Sequence, residues 1–160
     1  MAKVINPFIF NNFIDGMLLN DGEDKFSLIE EIKERFKSSD IDFMLPYSVK
    51  AEIEHPNTPS YIRDRAANFL YTVPVNLVGH EREFLAKITK IIQGNAKSGR
   101  HERDAYHLFE CDKYGGGYFL TQDSRLLRKA DEIGGSGLIE LLVISPRDFL
   151  AKLEQFSPCN

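Results

Sequence analysis

Short apolar runs separated by amphipathic stretches narrow the folds open to this chain more than any other feature. Ile41 to Leu45, Tyr118 to Thr121 and Leu138 to Ile144 are apolar runs of strand length. Between and around them, apolar residues recur every three or four positions. Leu28, Ile29, Ile32 and Phe36 form one such set, and Ile62, Ala66, Phe69 and Leu70 another. Phe84, Leu85, Ile88, Ile91 and Ile92 form the strongest; Ala105, Leu108 and Phe109, then Leu126, Leu127 and Ala130, follow. Strands alternating with helices pair in parallel and are covered by helices on both faces. The expected fold is α/β, a three-layer α/β/α sandwich with a mostly parallel central sheet.

Punctuation residues set the element boundaries. Val4 to Phe10 reads as a first strand, with Pro7 confining it to an edge or a strand start. Phe13, Met17 and Leu18 follow at helical spacing, and Asp24 precedes the next helix. Pro46 opens a helix running to Glu54, which His55-Pro56 ends. Thr58 and Pro59 start another, and Thr72 to Val75 is a short strand or turn. Gly94 to Arg100 is a polar loop, and Gly115 to Gly117 stops the helix before it. Ser145, Pro146 and Asp148 suit the start of a last helix, docked by Phe149, Leu150 and Leu153. No repeat, low-complexity segment or linker divides the 160 residues, so residues 1–160 are read as one domain.

Composition removes several function classes. At 42 % hydrophobic and 28 % charged the chain is an ordinary globular sequence. No apolar run approaches the roughly 18 residues of a membrane span. Lys3 and the broken apolar stretch after it do not form a signal peptide, so a cytoplasmic protein without membrane partners is expected. Two cysteines, Cys111 and Cys159, make neither a disulfide framework nor a zinc cluster. The net charge of −4 confines any basic footprint for nucleic acid to a local patch.

Three acids stand where surface acids ordinarily do not. Asp104 lies beside Ala105 and one turn before Leu108, within the apolar stripe of its helix. An ionised carboxylate there needs a partner, a hydrogen bond or a metal. Glu52 follows Val49 by three residues on one helix face. Asp123 stands just beyond the strand ending at Thr121, and ligands of open parallel sheets gather outside the carboxyl ends of the strands. Asn11 and Asn12, and Pro46 onward, hold similar positions. Converging carboxylates suit a hard divalent cation, Mg²⁺ or Mn²⁺. Each acid also has a plainer use: Asp123 as a helix cap, Glu52 paired with Lys50 or a neighbouring base, Asp104 in an ion pair with Arg103 or Arg125.

Asp104-Ala105-Tyr106-His107-Leu108, the strand Tyr118 to Thr121 running through Gln122 to Asp123 and on to Leu127, and Val143 to Leu150 together resemble the C-terminal half of a PIN domain. Tyr47 to Glu54 is similar to the family's helix carrying its middle acid, which falls on Glu52. The resemblance implies an Mg²⁺- or Mn²⁺-dependent ribonuclease with Glu52, Asp104 and Asp123 as catalytic metal ligands. It implies that Thr121 positions the loop bearing Asp123. Small PIN proteins are often toxins paired with an antitoxin, so RNA, an antitoxin-like protein and a homodimer are the expected partners. Lys97, Arg100, Arg103 and Arg125, with Arg128 and Lys129, form local basic clusters, whose plainer reading is a solvated helix face; Thr121, Arg100, Arg103 and Arg125 are the expected substrate contacts. His107, one turn after Asp104, is placed to pair with it; the plainer reading is a satisfied structural histidine.

The chain departs from the family pattern at its first acid. After Phe8-Ile9-Phe10 the matching residue is Asn11, an amide that still offers an oxygen ligand but no charge. Asp15, four residues on, is placed to substitute in part. Arg125 stands where family members often carry a further acid. The alternative reading is therefore a degenerate PIN-like domain that binds RNA or a protein partner without cutting. A nucleotide-binding α/β domain is disfavoured because the glycine run Gly115 to Gly117 precedes a strand instead of following one.

Overall fold

The computed structural model describes residues 4–20, 23–96 and 101–157; Lys97, Arg100 and Cys159 lie outside them. Along the chain come β1 (Asn11–Ile14), α1 (Met17–Asn20), α2 (Glu23–Arg35) and β2 (Phe43–Leu45). A 3₁₀ turn (Tyr47–Val49) runs into α3 (Lys50–Ile53), followed by α4 (Ser60–Ala66) and β3 (Leu70–Tyr71). Then come α5 (Gly79–Gln93), α6 (Glu102–Lys113), β4 (Gly116–Leu120), α7 (Ser124–Arg128), α8 (Ala130–Gly134), β5 (Leu142–Ile144) and α9 (Pro146–Phe156). The strands form one five-stranded sheet in the order β3-β2-β1-β4-β5, with every pair parallel. The fold is α/β, a three-layer α/β/α sandwich, as the alternation of elements predicts. Among the described residues, no helix is long and apolar enough to cross a membrane.

Side chains alternate across the sheet with period two and feed two cores. Ile14, Phe43, Leu45, Tyr118 and Leu120 face α1, α2, α4 and α9 through Leu19, Ile29, Ile62 and Phe149. Phe13, Phe119 and Val143 face α5, α6 and α8 through Ile88, Leu108 and Ile133. With both faces covered, the inner strand β4, next to the central β1, is buried along its whole length.

The first strand is not where the apolar run places it. Residues 4–10 are irregular: Phe8 N–H donates to Asn6 Oδ1 at 3.0 Å, and Ile9 N–H turns back to the Asn6 carbonyl at 3.4 Å. The strand is Asn11–Ile14, so Phe13 is a strand residue and not part of a helical face. Asn is a poor strand former, but here its amide supplies ladder contacts. Asn12 Oδ1 accepts from Tyr118 N–H at 3.2 Å, where the β1–β4 register shifts, and Asn12 Nδ2 donates to the Pro7 carbonyl at 2.9 Å. This close approach requires Gly117, at which a Cβ would stand 2.8 Å from the Asn11 carbonyl and 2.9 Å from Asn12 Oδ1.

Other strands also differ in extent from their expected runs: β4 spans Gly116–Leu120, so Gly116 and Gly117 are strand residues and Thr121 lies just past its end. β3 is Leu70–Tyr71, ahead of Thr72 to Val75. β5 is only Leu142–Ile144, because Glu140 and Leu141 donate their N–H groups to Asp112 Oδ1 on α6, at 2.8 and 3.1 Å, instead of to a neighbouring strand.

Candidate functional site

The sheet changes direction at its middle. From β1 the chain builds outward through β2 to β3, and from β4 it builds the other way to β5. Loops leaving the carboxyl ends of β1 and β4 therefore part from one another, and such a switch point is where open α/β sheets bind ligands. Asp15 follows β1, and Thr121 to Asp123 follow β4. Asp15 N–H donates to the Leu120 carbonyl at 2.8 Å, which holds the two strand ends together.

Thr121 is the hinge pin of this junction. It is fully buried, its Oγ1 donates to Asp15 Oδ2 at 2.7 Å, and the same oxygen accepts from Asp123 N–H at 3.0 Å. One hydroxyl thus orients a carboxylate from one strand end and the backbone of the acid from the other. With no exposed surface, Thr121 is a positioning residue and not the substrate contact expected of it.

A crevice of about 490 Å³ opens beside this junction, lined among others by Asp15, Glu52, Arg103, Asp104, His107 and Asp123. Helix α6 supplies Arg103, Asp104 and His107, and α3 supplies Glu52 from across the gap. The expected acids Glu52, Asp104 and Asp123 are therefore brought to one place. Asp15 completes the set in the position the sequence reading gave to Asn11. Asn11 itself sits at the other end of β1, where its amide donates to the Tyr114 carbonyl at 3.2 Å, and it cannot ligate anything in the crevice. The signal for Asp15 was present: it directly follows the apolar pair Phe13-Ile14, once the strand is taken to end there.

The acids act on one another. Burial, then the charges of Asp15 and Asp123, raise the Asp104 carboxyl to a pKa of about 6, against opposing pulls from Arg103 and Arg125. Asp15 is raised by burial and by Asp123, partly offset by its bonds from Thr121 and the Met17 N–H. Among the described residues Asp104 accepts no hydrogen bond. Asp123 divides its work: Oδ1 caps α7 by accepting from Arg125 and Leu126 N–H at 2.8 and 3.4 Å, the plainer use foreseen for it. Glu52 is exposed at the crevice mouth and forms an ion pair with Arg103, which is also largely exposed.

Two buried groups of α6 were not singled out by sequence for what they do. Glu110 is 1 % exposed, and its Oε1 accepts from both the N–H and the hydroxyl of Ser48, tying the turn before α3 to α6. Its place between Phe109 and Cys111, within the apolar stripe, was the available signal. His107 is buried, and burial followed by the Arg103 charge lowers its pKa to about 4, so the ring is neutral. Its Nε2 has no partner among the described residues, where a satisfied structural histidine would have one; an orphan of this kind costs about 1–3 kcal/mol.

The donor chemistry suits a hard cation. The acids are oxygen donors whose mutual repulsion a cation would relieve, and Mg²⁺ keeps several waters while using only one or two carboxylates. As they stand, no three acidic, histidine or cysteine side chains among the described residues are gathered into a ligand set. A larger groove, about 590 Å³ along α2, contains the surface pair Lys33–Asp42 at 3.3 Å. No protein-family model, curated protein or solved structure matches the chain.

Proposed function

We propose that the chain is a PIN-type ribonuclease that uses Mg²⁺ or Mn²⁺ to hydrolyse phosphodiester bonds of single-stranded RNA. The observation that carries this reading is the meeting of Asp15, Asp104 and Asp123 at the β1–β4 switch point, with Asp104 raised to about 6 by burial and by the other two. Asp15, Asp104 and Asp123 would hold the cation, which would supply a bound water of lowered pKa and a positive charge opposite the scissile phosphate. The protein's own contributions are positional. Thr121 fixes Asp15 and the Asp123 backbone so that their carboxylates do not reorganise. Asp104, without a hydrogen-bond partner among the described residues, is the acid freest to ligate. Arg103 and Arg125, whose charges both act on Asp104, are the cations that grip phosphate.

The test is cleavage of a single-stranded RNA with Mn²⁺ by wild type, Asp15→Asn and Asp104→Asn. Loss of cleavage by about 100-fold or more in each variant is expected; cleavage that persists in both removes this crevice as the source.

One observation favours the alternative, RNA or protein binding without cutting: Glu52 is already paired with Arg103, so one acid and one phosphate-gripping cation hold each other. RNA binding that is independent of divalent metal, with no cleavage, is its outcome. An antitoxin-like partner, a homodimer and a cytoplasmic location rest on the family resemblance alone.

A further inference from the structure

His107 has no role in the reading above, yet its position demands one. It is 6 % exposed, and its Nε2 is the sole fully covered side-chain nitrogen or oxygen among the described residues with no hydrogen-bond partner. Buried polar atoms are ordinarily paired, and the neighbouring buried acid of the same helix, Glu110, is satisfied by Ser48. His107 instead lines the crevice that Asp15, Asp104 and Asp123 share. It follows Asp104 by three residues on α6, so both side chains leave the helix on one face, one turn apart. A carboxylate and an imidazole at that spacing are a metal-binding pair in helical bundles.

The two donors also differ in what they select. Carboxylates alone favour Mg²⁺, Ca²⁺ and Mn²⁺, whereas adding an imidazole moves the preference toward first-row transition cations. We propose that Asp104 and His107 form a two-point chelate at the back of the crevice, and that His107 makes the site choose Mn²⁺ over Mg²⁺. Two side chains of one helix suffice to start such a site, with water filling the remaining positions. The chelate therefore does not need three protein donors gathered in advance. The inference rests on the crevice being the metal site proposed above.

Calorimetric titration of the full chain with Mn²⁺ and, separately, Mg²⁺, without RNA, tests it in wild type, His107→Phe and Asp104→Asn. Electron spin echo spectra of the Mn²⁺-loaded protein add a readout of nitrogen coordination that a structural histidine would not produce. Wild type is expected to bind Mn²⁺ about tenfold or more tighter than Mg²⁺ and to show ¹⁴N coupling to the ion. His107→Phe is expected to lose the coupling and the preference while its Mg²⁺ affinity stays within roughly twofold. Absence of ¹⁴N coupling in wild type overturns the proposal, whether or not the variant folds. If Asp104→Asn weakens both metals and His107→Phe weakens neither, the acidic crevice stands and the chelate falls. If wild type binds neither metal, or Asp104→Asn changes neither affinity, both readings fall.

Discussion

The residue that most defines the crevice is Asp104, a carboxylate at once half-buried, without a hydrogen bond from the described residues, and pressed by two other acids. Its pKa of about 6 lies above the ordinary 3.8, so the folded form holds the proton more tightly than the unfolded one. Its contribution to stability is therefore fully present below the unfolded value and is lost as pH rises through about 6. Asp104→Asn removes that loss. In metal-free buffer the variant is expected to be more stable than wild type by on the order of 1–2 kcal/mol near neutral pH, allowing for solvent screening, and nearly equal to it at about pH 4. Urea melts at the two pH values check this. Thr121→Val, nearly the same shape, strands Asp15 Oδ2 and the Asp123 N–H. A loss of about 1–3 kcal/mol in the same melts is expected, with weaker Mn²⁺ binding by titration. At this scale the sequence exposed Asp104 and Asp123 because each breaks a local pattern, an apolar stripe or a strand end. It hid Glu110 and the orphaned Nε2 of His107, since whether a buried polar group is paired depends on Ser48 and other residues distant in sequence.

Among the elements, β1 shows how a strand can be built from residues that do not announce one. Phe8-Ile9-Phe10 has the composition of a strand, yet Asn6 and Pro7 turn that segment away. Asn11 and Asn12 begin the real strand because Asn12 reaches Tyr118 N–H across a register shift. The error carried into the site: a strand ending at Phe10 points to Asn11 as the first acid's place, whereas one ending at Ile14 points to Asp15. The remaining α/β pattern was legible because helical and strand periods differ over whole segments: β2 and the core of α6 fell within their apolar runs, while β4 overlapped its run but began two residues earlier, at Gly116. Gly117→Ala tests the β1–β4 junction. Its Cβ would meet backbone and buried side chain under 3.0 Å, so a loss of about 1–3 kcal/mol is expected on thermal unfolding, with reduced Mn²⁺ affinity as Asp15 shifts. Ser48→Ala leaves Glu110 with one bond in place of two. It is expected to destabilise by about 1 kcal/mol and to loosen α3, and with it Glu52, from α6.

At the scale of the whole molecule, the two-way winding of the sheet gathers residues far apart in sequence. Asp15, Asp104 and Asp123 each come from a different side of the β1–β4 boundary or from the helix that crosses it. Burial, reinforced by the charges of the neighbouring acids, makes the metal-free protein less stable as pH rises through the range where Asp104 and Asp15 ionise. A bound cation reverses this, by about 2.7 kcal/mol at a hundred times its Kd. Thermal unfolding is expected to show Mn²⁺ stabilisation that grows between about pH 5 and pH 8 and disappears in Asp104→Asn. In the proposed function this crevice, and no other part of the surface, cuts RNA with a divalent metal. The most direct measurement is the Mn²⁺-dependent cleavage rate of a single-stranded RNA by wild type beside Asp15→Asn. Wild type is expected to cleave in a reaction that chelator abolishes and that slows by about 100-fold or more in the variant. Undiminished cleavage by Asp15→Asn, or none by metal-loaded wild type, would contradict the proposed function.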